Sequence, residues 1–253
     1  MTMPQAGHSS ATSPTRGRRN PHLGQLTDTD RNVPFLDPMI VLTALVAVLV
    51  FLLLVAEQRR SRRSVWVLKP LASLAFLATA LSADGHDSAY GRMIGFALFL
   101  SLVGDVLLIP RGRRPFFLGG LGAFLAAHVA FAAAFVVAGV DWKTVGLLAL
   151  PLAVLGFGVG RWLRPSVDPP LRTPVIVYIV VITGMVVLAG GCLGDGQPAL
   201  IPIAAVVFFL SDLSVAVDRF KGGGFTNRLW GLPAYYCAQV AFAWTIPLVA
   251  VLS

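Results

Sequence analysis

The sequence predicts an all-α fold: a polytopic membrane bundle of eight transmembrane helices. Three observations carry that expectation. First, 56% of the 253 residues are apolar and only 13% are charged, and the mean hydropathy is +0.77. A soluble domain has about 45–50% apolar and about 25% charged residues. Second, the apolar residues gather into runs close to the 20 or so that a helix needs to cross a bilayer core. Third, Lys and Arg concentrate in alternate linkers between those runs, as the positive-inside rule requires. A soluble globule, a disordered chain and a disulfide-stapled secreted domain are excluded. The net charge of +8 does not indicate nucleic acid, because so apolar a chain has no surface on which to spread a basic patch.

Residues 1–37 are rich in Ser, Thr, Pro, Gly and Arg and lack an apolar period, so they read as a disordered tail ahead of a transmembrane domain at 38–253. The first run, 38–56, is followed by Arg59, Arg60, Arg62 and Arg63 and ends in no small-x-small cleavage site. It is a retained helix and not a signal peptide. The remaining runs are 64–83, 92–110, 115–138, 145–163, 172–193, 197–217 and 231–252. Being continuous rather than alternating, they do not suit a strand barrel. Short linkers make consecutive helices antiparallel neighbours.

One set of linkers carries Arg59, Arg60, Arg62, Arg63, then Arg111, Arg113, Arg114, then Arg161, Arg164, Arg172, then Arg219, Lys221 and Arg228. The opposite loops carry Arg92 and Lys143. This predicts a multi-pass protein of the plasma membrane with its basic face in the cytoplasm and both termini outside. Cys192 and Cys237, the only cysteines, then lie toward opposite faces and do not pair, and no cysteine cluster suggests zinc. Ala127-His128-Val129-Ala130-Phe131-Ala132 matches Ala238-Gln239-Val240-Ala241-Phe242-Ala243, Gly104-Asp105 matches Ser211-Asp212, and Pro70 matches Pro174. The pattern is compatible with two four-helix halves related by an axis along the membrane normal, and equally with chance similarity between apolar helices.

Ionisable groups inside a bilayer cost about 2.5–3.5 kcal/mol each on insertion scales and usually face the bundle interior. Lys69, Asp105, Asp212, Tyr235, Tyr236 and Gln239 all fall near helix ends on the basic side, within about 12 Å of one surface at 1.5 Å per residue. Asp84, Asp87, Asp141 and Asp195 fall in loops on the other side. The clustering predicts a polar cavity open to the basic face. Each residue also has a plain structural reading. Lys69 could pair with one Asp or snorkel, and His128, deeper in its helix, could be a packing residue. Two Asp and one His lack the HxxxH or ExxH spacing of a metal site, so no metal or cofactor is expected.

Lys69-Pro70-Leu71, Ser101-Leu102-Val103-Gly104-Asp105-Val106-Leu107-Leu108 and Phe117-Leu118-Gly119, leading to Phe124 and His128, form an ordered set with Phe208-Phe209-Leu210-Ser211-Asp212 and Tyr235-Tyr236-Cys237-Ala238-Gln239. This set resembles the YhhN family of membrane proteins from about residue 38 onward. The resemblance implies eight helices and a lysoplasmalogenase activity: hydrolysis of the vinyl ether of a lysophospholipid to a fatty aldehyde and a glycerophospho-headgroup. Phe131 stands where the family pattern leads one to expect tyrosine.

A vinyl ether is cleaved by protonation on carbon, addition of water to the oxocarbenium ion, and collapse of the hemiacetal. Two carboxyls of different environment suit such a reaction, as in glycosidases. Asp105 and Asp212 are therefore the expected catalytic pair. Lys69, His128, Tyr235, Tyr236, Gln239 and Ser211 are expected to tune them or to bind substrate. The expected partners are a lysophospholipid and the bilayer, with no nucleic acid, and the oligomeric state is open. Two other readings stay open. A small transporter or channel could use a buried Asp/Lys relay, although it would need polar residues through the full depth. Another intramembrane lipid hydrolase would need an activated serine or a metal, and no GxSxG elbow occurs.

Overall fold

A computed structural model of the chain describes residues 37–110 and 112–252. The tail reading of 1–36 and the topological role of Arg111 lie outside the described residues. Among the described residues there are eight α-helices and no strand: α1 (Pro38–Gln58), α2 (Arg62–Leu81), α3 (Ala89–Leu107), α4 (Arg114–Ala138), α5 (Trp142–Leu163), α6 (Arg172–Gly194), α7 (Leu200–Phe220) and α8 (Gly224–Ala250). All eight are long and apolar enough to cross a membrane. Two 3-10 turns, Arg164–Ser166 and Pro169–Leu171, join α5 to α6.

Local chemistry sets the helix ends. The first amides of a helix lack intrahelical acceptors, and short polar side chains supply them. Asp37 Oδ1 accepts from the Met39 amide at 2.8 Å. Ser88 Oγ accepts from the Gly91 amide at 2.9 Å, which starts α3 at Ala89, ahead of the apolar run at 92. Asp141 caps α5, accepting from the amide of Thr144 at 2.9 Å and from its hydroxyl at 2.6 Å. Those donors, the hydroxyl foremost, hold its carboxyl below the usual range. Helix α8 begins at Gly224 and not at 231. Its polar first turns are held by α7: Asn227 Nδ2 donates to the Ser214 carbonyl at 2.8 Å and to Asp218 Oδ1 at 3.1 Å. Arg228 reaches Asp218 at 2.7 Å and Glu57 of α1 at 3.1 Å.

Helix α8 packs against α1, α2, α3 and α7, and α6 packs against α4, α5 and α7. Helix α5 rests on α6 and turns residues such as Leu147, Leu150 and Phe157 outward, as a lipid-facing helix would. The neighbour pairs α1–α2, α2–α3 and α3–α4 recur as α5–α6, α6–α7 and α7–α8, and α2–α8 recurs as α6–α4. The matched residues Phe131 and Phe242 stack on each other with ring centroids 4.2 Å apart, where an axis relating two halves would pass.

The core between α2, α3, α4, α7 and α8 is aromatic, with Phe76, Phe131, Phe135, Phe208 and Phe242 fully buried. Small residues let helices approach closely, as is common in membranes. A Cβ on Gly104 would stand 2.6 Å from the Phe124 ring, so glycine here lets α4 lie against α3 beside Asp105. Gly231 likewise admits the Ser214 side chain of α7.

Candidate active site

Each carboxylate expected to react is held by donors from two other helices. Asp105, near the end of α3, is buried. Its Oδ2 accepts from Ser73 Oγ of α2 at 2.6 Å and from the Tyr235 hydroxyl of α8 at 2.7 Å, and its Oδ1 lies 3.2 Å from Lys69 Nζ. Lys69 thus pairs with an aspartate, one of the two roles open to it from the sequence. Lys69 and Ser73 are one turn apart on the same face of α2, and the Lys69 carbonyl lies 3.0 Å from Ser73 Oγ, where it can share the single hydroxyl hydrogen. Pro70 sits inside α2. Having no amide hydrogen, it cannot bond the carbonyl of Trp66, a defect that membrane helices tolerate.

Asp212, more than two turns before the end of α7, has a different setting. The Tyr178 hydroxyl of α6 donates to its Oδ2 at 2.5 Å, and His128 Nε2 of α4 lies 3.3 Å from the same oxygen. Its side chain keeps 13% exposure, against 3% for Asp105. His128 is fully buried, stacked on Phe208 at 4.5 Å and edge-on to Tyr178 at 5.3 Å. Its Nδ1 lies 2.6 Å from the Phe124 carbonyl.

Lys69, Asp105, Tyr178, Asp212 and Tyr235 all line one cavity of about 1130 Å³. Arg60, Arg62, Arg113, Arg219 and Arg228 stand on the same wall toward the arginine-rich linkers, and the deeper apolar wall includes Leu121, Phe124, Val159, Ile179 and Ile182. The Arg219 guanidinium lies 4.3 Å from the Phe117 ring centre, a cation–π contact that steadies a charge at the cavity's polar end. No residue of the loops at the opposite end lines this cavity.

Four residues named from the sequence stand outside the cavity wall. His128 reaches it only through Asp212. Ser211 Oγ donates to the Phe208 carbonyl of its own helix at 2.8 Å. The Tyr236 hydroxyl donates to the Lys69 carbonyl at 3.3 Å and so braces α2 against α8. Gln239 is fully buried, and neither amide atom has a hydrogen-bond partner among the described residues. Ser73 and Tyr178 are the residues that the sequence reading missed. Ser73 could have been found from its spacing to Lys69.

The arrangement brings two acids of unlike surroundings to one cavity, with hydroxyl donors, a lysine and an imidazole close by and an apolar wall below. It can donate a proton, stabilise a cation and accept a proton from water. The model of the YhhN family matches residues 64–246, from α2 to the last turns of α8. A lysoplasmalogenase of Mycobacterium bovis is 32% identical over 175 residues, 67% of this chain and 65% of that protein. The chain therefore spans about two-thirds of that relative's length. A protein of Sus scrofa named lysoplasmalogenase TMEM86B is 32% identical over 183 residues, 70% of this chain and 72% of that protein. One of Bos taurus named lysoplasmalogenase TMEM86A is 28% identical over 184 residues, covering 70% and 71%. No solved structure matches the chain significantly. With the match running from the lysine of α2 through both aspartates to the tyrosines of α8, the chain belongs to the YhhN family.

Proposed function

We propose that this chain is a lysoplasmalogenase, a multi-pass membrane hydrolase that cleaves the vinyl ether of a lyso-ether phospholipid. The observation that carries the reading is the presence of Asp105 and Asp212, differently held, on the wall of one cavity at the arginine-rich end. The names of the relatives agree with it. A single alkenyl chain would lie along the apolar wall at Leu121, Ile179 and Ile182, with the phosphate toward the arginines at the mouth. The reactive ether would then sit at the hydrocarbon boundary, level with the carboxyls. The basic face is the cytoplasmic one by the positive-inside rule.

In the reaction, one carboxyl protonates the vinyl carbon remote from oxygen. The other stabilises the oxocarbenium ion and takes a proton from the water that adds to it. The hemiacetal collapses to fatty aldehyde and the free glycerol hydroxyl. Placing both acids in a site with little water strengthens each electrostatic contact. The test is to give the purified protein a lysoplasmalogen beside its saturated-ether and ester analogues. The expected result is aldehyde from the vinyl ether alone. Turnover of the ester, or none of the three, would overturn the reading.

A further inference from the structure

We infer that Asp212 and His128 hold one proton between them and together form the general acid of the cavity, while Asp105 rests as the carboxylate and serves as the base. The inference rests on the lysoplasmalogenase reading and assigns the two acids their separate roles. Hydrogen-bond arithmetic supports it. His128 Nδ1 lies 2.6 Å from the Phe124 carbonyl, which can only accept, so Nδ1 carries a hydrogen. In a neutral imidazole, Nε2 is then a bare acceptor. It lies 3.3 Å from Asp212 Oδ2, and an ionised carboxylate is also only an acceptor. Two acceptors do not sit face to face in an apolar interior unless a proton lies on one of them. Nε2 has no hydrogen-bond partner elsewhere among the described residues.

Where that proton rests follows from the surroundings. His128 is fully buried between Phe208 and the edge of Tyr178, and an imidazolium there would lose its hydration. Asp212 opens to the cavity. In the neutral pair, imidazole beside carboxylic acid, the proton rests on Asp212, the member that lines the cavity and can deliver it to a vinyl carbon. The other groups facing the pair are Tyr178 of α6, which donates to Asp212 Oδ2, and Tyr235 of α8, which donates to Asp105. Across the cavity stand Asp105 of α3 and Lys69 of α2. Asp105 already accepts from Ser73, Tyr235 and Lys69, a donor set that matches a carboxylate in the resting site.

The cycle then balances. The Asp212 proton moves to the vinyl carbon, leaving a carboxylate beside His128 and an oxocarbenium ion. Water adds, and its proton passes to Asp105. On collapse, Asp105 returns that proton to the departing glycerol oxygen, and the hemiacetal hydroxyl gives its proton to Asp212. Both acids are restored. His128 touches no substrate; it is a positioning residue that sets how firmly Asp212 keeps its proton.

Two measurements on the full chain test this. The first is infrared difference spectroscopy between the wild type and each Asp→Asn variant at neutral pH. The carbonyl stretch of a protonated carboxyl should vanish in Asp212→Asn and persist in Asp105→Asn. The reverse assignment, or no such band in the wild type, would overturn the inference whether or not the protein turns over lysoplasmalogen. The second is the pH profile of kcat/KM for His128→Gln. Without the imidazole the acid gives up its proton more readily. The alkaline limb should therefore move at least one pH unit lower and kcat should fall about 100-fold, the lower end of what general acid catalysis contributes. A uniform loss of rate with an unmoved profile would make His128 merely structural and would overturn its role.

Discussion

Asp105 and Asp212 line the same cavity but are held by mirrored sets of helices: Asp105 by Ser73 of α2 and Tyr235 of α8, Asp212 by Tyr178 of α6 and His128 of α4. Helix α2 packs against α3 as α6 packs against α7, and α2 meets α8 as α6 meets α4. The two cages are alike in plan and unlike in chemistry, because only the first holds a lysine. On the proposed mechanism, that difference separates the two carboxyls into different roles.

Tyr178→Phe removes the hydroxyl donor at 2.5 Å from Asp212 while keeping the ring against His128. A hydrogen bond to a charged group contributes about 1.5–3 kcal/mol, and Asp212 becomes charged as it gives up its proton. The variant should therefore lose about 10–100-fold in kcat, with KM little changed. Steady-state kinetics in detergent or vesicles measures the split. A change confined to KM would mean that Tyr178 contacts substrate instead.

Lys69→Met leaves Asp105 as a buried carboxylate without its counter-ion. Breaking a buried ion pair on one side costs about 3–5 kcal/mol. Thermal unfolding should shift downward and aldehyde release should cease. Combining it with Asp105→Asn should restore much of the melting temperature without restoring activity. A double variant no more stable than the single one would show that the pair is not the source of the loss.

Gly104→Val places a side chain against the Phe124 ring, where even a Cβ would stand 2.6 Å away. Overpacking of this kind costs about 1–3 kcal/mol. The melting temperature should fall, and activity with it, because α3 carries Asp105. Gly122→Ala, with open space at its Cβ, is the matched control and should change neither.

Much of this architecture is legible in the sequence because bilayer physics is written in composition: long apolar runs give the helices. The start of α8 was not legible by hydropathy. Asn227 and Arg228 look like loop residues until Ser214, Asp218 and Glu57 are seen to partner them. Asp105, Asp212, Lys69 and Tyr235 could be found because ionisable or phenolic groups at one membrane depth are few. Ser211 and Tyr236 were drawn in by adjacency to Asp212 and Tyr235. Neighbours on a helix point about 100° apart, and these two face their own helix backbone and α2 instead. Tyr178 escaped notice because a lone tyrosine in an apolar helix has no sequence mark that separates a catalytic donor from an interfacial anchor.

The most direct test is fatty aldehyde release from a lysoplasmalogen by the purified wild type, Asp105→Asn and Asp212→Asn, each checked for intact helical content. The wild type should release aldehyde, and each variant should fall at least about 100-fold. Near-normal release by either folded variant would remove that aspartate from the chemistry and contradict the two-carboxyl account.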